Sequence, residues 1–177
     1  RSRHPEAQLS YIGTKKGLES KLVPEANIDF YTIDVKGFQR KISLSNIKHN
    51  ISAVKLLINA SKQARNLLLE LNPDVVMGTG GYVSGPVIRS AQKLGIPTAI
   101  HEQNAYPGVT IKMLAPLVDS VMLAMADAEK NLKCKNQPVI TGNPIRSQLT
   151  EITKSEAREK LSIPLDAKVV LSFGGSL

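Results

Sequence analysis

Asp74-Val75-Val76-Met77-Gly78-Thr79-Gly80-Gly81-Tyr82-Val83-Ser84-Gly85-Pro86 is the stretch on which the fold turns. Asp74–Gly78 is a short apolar run with Asn72-Pro73 before it and glycines behind it, which predicts a buried strand. A helix is predicted to open at Ser84 and to stop near Gly95. Strand, glycine turn and helix in that order make one unit of a parallel sheet. Ligands of such sheets gather at the carboxyl ends of the strands. Glycines there tolerate positive φ and keep side chains out of the way, while a helix N-terminus offers unpaired N–H groups and partial positive charge to a phosphate. The turn lacks the Lys-Ser/Thr pair of a P-loop and the G-x-G-x-x-G spacing of a dinucleotide fingerprint.

The same alternation extends in both directions. Gln8–Gly13 (QLSYIG) and Ile28–Ile33 (IDFYTI) read as strands, with a short helix over about Gly17–Val23 between them. A long amphipathic helix is predicted from Ser45 to about Leu71. Beyond the glycine turn, Pro97–His101 is a strand, Pro107–Pro116 a helix, and Ser120–Ala124 and Pro138–Thr141 are strands. The fold class is therefore α/β, a Rossmann-like parallel sheet with helices on both faces. Before Gln8 the residues are a polar helix-end remnant, which suggests a strand and helix ahead of them. Residues 1–146 form the main domain in this reading, with 147–166 as a linker and helix opened by the capping-box spacing Thr153-Lys154-Ser155-Glu156. Residues 167–177 begin a second domain: Lys168–Phe173 (KVVLSF) reads as a strand with nothing in its own domain to pair with.

Two further loops fall on the predicted carboxyl edge. His101-Glu102-Gln103-Asn104 sets four polar side chains where a buried strand ends, an expensive arrangement unless they bind something or satisfy the loop. His101 reads as a positioning hydrogen-bonder rather than a general base. Thr141–Arg146 (TGNPIR) ends in a guanidinium able to reach a phosphate.

The chain of 177 residues carries 23 Lys plus Arg against 15 Asp plus Glu, a formal charge of +8 that favours anionic partners. Aromatics are only 4% with no Trp, so stacking platforms for nucleic acid are scarce and no nucleic-acid partner is expected. No apolar run approaches the ~18 residues of a membrane span. Lone Cys134 has no His or Cys at ligand spacing and reads as a bland surface or half-buried thiol. No metal site or cofactor is expected. Lys48, Lys55 and Lys62 recur every seven residues along the long helix, bordered by Ile47, Ile51, Val54 and Ile58 and preceded by Phe38, Arg40, Lys41 and Ile42. That pattern fits either a core-packing helix with a solvated basic face or a helix lying on anionic lipid.

Taken together, Gly80–Pro86 (GGYVSGP), Leu94–Asn104 (LGIPTAIHEQN), Gly142–Arg146 (GNPIR) and Val169–Leu177 (VVLSFGGSL) resemble the MurG family of peripheral-membrane glycosyltransferases in bacterial peptidoglycan synthesis. The resemblance covers essentially the whole chain and implies the N-terminal half of a two-domain GT-B enzyme. It implies inverting transfer of N-acetylglucosamine from UDP-GlcNAc to lipid I, the undecaprenyl-diphosphate-linked muramyl-pentapeptide, giving lipid II without a metal. It also implies a location on the cytoplasmic face of the plasma membrane. By resemblance Gly80, Gly81, Tyr82 and Glu102 belong to the acceptor region, and Asn104, Arg146 and Ser176 to the donor nucleotide-sugar. Phe38, Arg40, Lys41, Ile47, Lys48, Ile51 and Lys55 fall on the family's membrane-facing surface. The family's first glycine loop, with the histidine favoured as base, is absent from the sequence, so the catalytic base is unknown and His101 does not replace it. With most of the C-terminal donor domain also absent, the chain alone is expected to be inactive. Two other readings are a non-catalytic membrane-recruiting subunit of a split transferase and another GT-B enzyme such as a glycolipid synthase or a UDP-GlcNAc 2-epimerase.

Overall fold

Apolar runs too short for helices pair as strands, and the amphipathic runs between them cover the result. The structure, a computed structural model, describes residues 4–35, 44–145 and 151–172, and within these the side chains of residues 44–56 are left out. The chain divides into two units, Arg1–Gly142 and Asn143–Leu177.

In the first unit the order is β1 (Ser10–Gly13), α1 (Glu19–Glu25), β2 (Asp29–Thr32), α2 (Leu44–Leu71), β3 (Val76–Gly78) and α3 (Gly81–Lys93). There follow β4 (Thr98–Glu102), α4 (Val109–Leu114), β5 (Ser120–Leu123), a 3₁₀ turn over Ala126–Asn131 and β6 (Val139–Ile140). Every pairing is parallel: β1 with β2 in one sheet, and β3-β4-β5-β6 in that order in another. The predicted parallel α/β architecture is thus present, but its strands are hydrogen-bonded in two sets.

β4 is buried along its whole length, which suits a strand with neighbours on both edges and helices over it. Ile88 of α3, Ile100 of β4 and Leu123 of β5 are fully buried in one core cluster with Ile111 and Leu114 of α4. Each such side chain contributes roughly 1.5–3 kcal/mol by leaving water. A second cluster joins Ala60 and Ala64 of α2 to Val87 of α3 and to Ile33. Alanines four apart on α2 let the helices approach closely, and the Ser90 hydroxyl donates to the Ser61 carbonyl across that contact (3.0 Å). Asp119 fixes the entry to β4 by accepting from the Thr98 amide (2.9 Å) and hydroxyl (3.0 Å). These bonds, with Lys135 nearby, hold its carboxyl below the usual range.

Some boundaries differ from the sequence reading. α3 starts at Gly81 rather than Ser84, because Gly80 (φ 91°) and Gly81 (φ 76°) turn the chain directly after β3. α4 is shorter than Pro107–Pro116, its N-terminus held at Gly108 as described below. Cys134 is half-buried against the first core cluster, and burial raises its thiol pKa.

In the second unit the predicted capping box is formed at α5 (Lys154–Lys160): the Glu156 amide donates to Thr153 Oγ1 (3.3 Å) and the Thr153 amide to Glu156 Oε2 (2.7 Å). The strand expected at Lys168–Phe173 is not formed over the described residues 168–172. Val170 and Leu171 are 94% and 77% exposed, since a lone apolar run has no ladder to join.

Candidate functional site at the carboxyl edge

Parallel strands share one carboxyl edge, so the loops after β3, β4 and β6 emerge on the same side of the sheet. The β3 loop is the tightest of them. A Cβ on Gly78 would lie 3.1 Å from Ile88 and 3.2 Å from Ser84 Oγ, so the strand passes close under α3 and a side chain there would need α3 to give by a few tenths of an ångström. Gly80 and Gly81 both take positive φ, a conformation that a side-chain-bearing residue adopts only under strain. A Cβ on Gly81 would touch nothing within 4 Å, so the approach to that amide is open. Tyr82, the next residue, is 62% exposed. The first turn of α3 has no acidic residue and no side-chain hydrogen bond caps it.

Beside it, the β4 loop is organised by Glu102, which is only 2% exposed. Its Oε1 accepts from the Asn104 amide (2.8 Å) and the Asn104 side chain (2.9 Å), and its Oε2 from the Gly108 amide (2.8 Å). Gly108 precedes α4, so one carboxylate fixes both the Asn104 side chain and the start of that helix. Gln103 then ties the two loops together, its Nε2 donating to the Thr79 carbonyl at 3.0 Å. His101, 5% exposed, hydrogen-bonds through Nε2 to the Gly142 carbonyl (3.0 Å), joining β4 to the loop after β6. Because a carbonyl only accepts, Nε2 carries the proton in this bond. His101 is the positioning hydrogen-bonder expected of it.

Of the residues expected in the acceptor region, Gly80 and Gly81 lie in the turn, Tyr82 on the first helical turn and Glu102 at the end of β4, all on the carboxyl edge. Glu102 has both oxygens engaged by its own loop, and Asn104, expected at the donor sugar, is exposed with its amide and side-chain NH₂ donating to Glu102 Oε1. Arg146 and Ser176 lie outside the described residues. So do Phe38, Arg40 and Lys41, and the side chains of Ile47, Lys48, Ile51 and Lys55. Farther along α2, Lys62 and Arg65 are exposed and Ile58 is 67% exposed. Two residues escaped the sequence reading: Gln103 as the tie to Thr79, and Gly108 as the partner of Glu102. Gln103 stood in the polar run at the strand end, but nothing in the sequence indicates its partner. Among the described residues no three His, Cys, Asp or Glu side chains converge as metal ligands. No described helix is long and apolar enough to cross a membrane.

Comparison with known proteins agrees with this geometry. Residues 1–123 match the model of the glycosyltransferase family 28 N-terminal domain. The UDP-N-acetylglucosamine–N-acetylmuramyl-(pentapeptide) pyrophosphoryl-undecaprenol N-acetylglucosamine transferase of Acetivibrio thermocellus is 46% identical over 176 residues, 99% of this chain and 47% of its own length. The enzyme of the same description from Bacillus cytotoxicus is 44% identical over 173 residues, 98% of this chain and 46% of its own. The crystal structure of Acinetobacter baumannii MurG superposes with a TM-score of 0.64 at 32% identity, covering 81% of this chain and 40% of that one. A putative UDP-N-acetylglucosamine 2-epimerase from Listeria monocytogenes shares the fold at 10% identity and a TM-score of 0.51. The chain spans about half the length of the curated relatives it matches. With the family model matched over residues 1–123, most of its length, the chain belongs to glycosyltransferase family 28, in its N-terminal domain.

Proposed function

We propose that this chain is the lipid I-binding half of an inverting transferase that moves N-acetylglucosamine from UDP-GlcNAc to lipid I. The observation that carries the reading is the Gly80–Gly81 turn at the head of α3, where the helix opens with no side-chain cap and no acidic residue in its first turn. That is a seat for a diphosphate, the anionic link between the muramyl sugar and its lipid. Tyr82 beside the turn offers a phenol and a ring face to the acceptor. Glu102 works through its loop in this proposal: it holds Asn104 so that the amide oxygen and one N–H remain available to the donor sugar. Arg146 and Ser176 are proposed donor-nucleotide contacts, on the resemblance alone. Residues 1–146 then constitute the acceptor domain, 147–166 the linker and 167–177 the start of the donor domain. Catalysis of the transfer is proposed only for the longer protein.

A peripheral seat on the anionic cytoplasmic leaflet belongs to the same proposal. The net charge of +8 and the exposed Ile58, Lys62 and Arg65 on α2 support it, each basic residue contributing ~1 kcal/mol close to such a surface. Equilibrium binding of the chain to a soluble lipid I analogue, and separately to UDP-GlcNAc, tests the division of labour. Acceptor binding with weak or no donor binding is expected. Tight UDP-GlcNAc binding without acceptor binding would overturn it.

A further inference from the structure

We infer, resting on the acceptor reading above, that Ser84 and Gln103 are positioning residues for the diphosphate seat. From either side of Gly80 they lock the swivel that decides where the Gly81 N–H points. Gly80 joins β3 to α3 at φ 91° and ψ −166°, a backbone state that glycine enters and leaves at little cost. A turn built on such a residue keeps one direction only if the peptides on both sides of it are held. Here both are held, each by a side chain that donates to its carbonyl.

The peptide entering Gly80 carries the Thr79 carbonyl, which accepts from Gln103 Nε2 at 3.0 Å. The peptide leaving it carries the Gly80 carbonyl, which accepts from Ser84 Oγ at 2.5 Å. Each peptide is a rigid plane, so fixing both planes fixes the two torsions between them. Direction follows from the same planarity, because in a trans peptide the N–H lies opposite the C=O. Ser84 stands one helical turn beyond Gly80 and draws its carbonyl toward the far end of α3. The Gly81 N–H, on the same plane, therefore points out of the head of the helix, where amides have no partner within the helix. A Cβ on Gly81 would meet nothing within 4 Å, so that space is open.

The surroundings of both residues suit this work. Ser84 is 8% exposed, and a Cβ on Gly78 would lie 3.2 Å from its Oγ. The glycine that ends β3 thus leaves the hydroxyl room to reach back to Gly80. Gln103 comes from the β4 loop, 24 residues from Thr79 in the chain, so its bond is set by the fold and not by a local preference. Its neighbour Asn104 is the residue proposed at the donor sugar, and the tie to Thr79 therefore also fixes the acceptor turn against the donor-side loop.

The test titrates inorganic pyrophosphate into the whole chain and follows the amides by NMR, with N–H residual dipolar couplings of the free chain reporting direction. Ser84→Ala and Gln103→Met each remove one donor without adding charge, and Ser84→Thr keeps the hydroxyl. In both donor-less variants the Gly81 coupling should change while the amides of β4 and β5 keep theirs. Pyrophosphate affinity should fall about three- to tenfold in each, as expected when a preorganised donor is loosened. The double variant should lose less than the product of the single losses, since the second cut frees a swivel already free. Ser84→Thr should bind as wild type does. Equal binding by wild type and both donor-less variants would overturn the positioning role and leave the seat standing. No shift at Gly80 or Gly81 in wild type would overturn the seat, and the positioning role with it. Losses that multiply while the Gly81 coupling stays unchanged would mean two independent effects and would overturn the shared swivel.

Discussion

Replacing Glu102 by Gln changes one atom's chemistry at the centre of the candidate site, and the structure sets the size of the effect. The carboxylate offers two acceptor oxygens to three donors: Asn104 N–H and Nδ2 at one, Gly108 N–H at the other. Glutamine has one acceptor oxygen and a donating NH₂. In its better orientation it keeps the two Asn104 bonds and turns its NH₂ toward the Gly108 N–H, donor against donor. A bond to a charged group contributes about 1.5–3 kcal/mol, and leaving a donor unsatisfied costs about 1–3 kcal/mol. Glu102 itself is 2% exposed, but Gly108 is exposed and takes up water, which offsets part of the loss. The expected destabilisation is therefore about 2 kcal/mol, near 30-fold in the folding equilibrium. Urea unfolding followed by circular dichroism measures it, with amide exchange at Gly108 as the local readout. The Gly108 amide should exchange faster while core amides such as Ile100 change only with global stability. A loss under about 0.5 kcal/mol with Gly108 exchange unchanged would refute the assignment of Glu102 as the organiser of this loop.

Gly81→Ala should cost about 1 kcal/mol although no atom lies within 4 Å of the added methyl, because φ is 76°; thermal melts against wild type measure this. Gly78→Ala should cost about 1–3 kcal/mol for the opposite reason, a contact of 3.1 Å with Ile88 at an ordinary φ, and that cost should shrink when measured in an Ile88→Ala background. Inorganic pyrophosphate should shift the amide resonances of Gly80, Gly81 and Tyr82 in NMR titration, while sites near Asp119 stay still. The Asp119 carboxyl titrates below its ordinary value because Thr98 donates to it twice. Its contribution is thus complete above the unfolded-state pKa and is lost as pH falls through the lower folded value. Asp119→Asn should flatten the acid limb of the stability–pH profile in that window and leave the neutral-to-alkaline region parallel to wild type.

How much of this was legible in the sequence depended on whether the signal was local. The strand–glycine turn–helix at Asp74–Pro86 was readable because chain neighbours decide it: a short apolar run, residues that accept positive φ, then a helical pattern. The capping box at Thr153–Glu156 was equally local, and it formed. Lys168–Phe173 was read as a strand on composition, yet its described residues form no strand and are exposed to solvent, because a strand exists only by pairing. Glu102 shows the same limit in the site. Its type and place at a strand end marked it as important, but its partners, Asn104 and Gly108, follow from the path of the loop.

By itself the sequence determined the α/β class, the parallel alternation, the loops that carry the candidate chemistry and the family, since all of these reside in periodicity, glycine placement and short motifs. Only the tertiary structure decided that Gln103 ties the β4 loop to Thr79, that His101 holds Gly142, and that the sheet is split between β1 and β3. The reason is distance along the chain. Gln103 and Thr79 are separated by 24 residues and His101 and Gly142 by 41, and their meeting is set by strand order and helix packing rather than by anything their neighbours prefer.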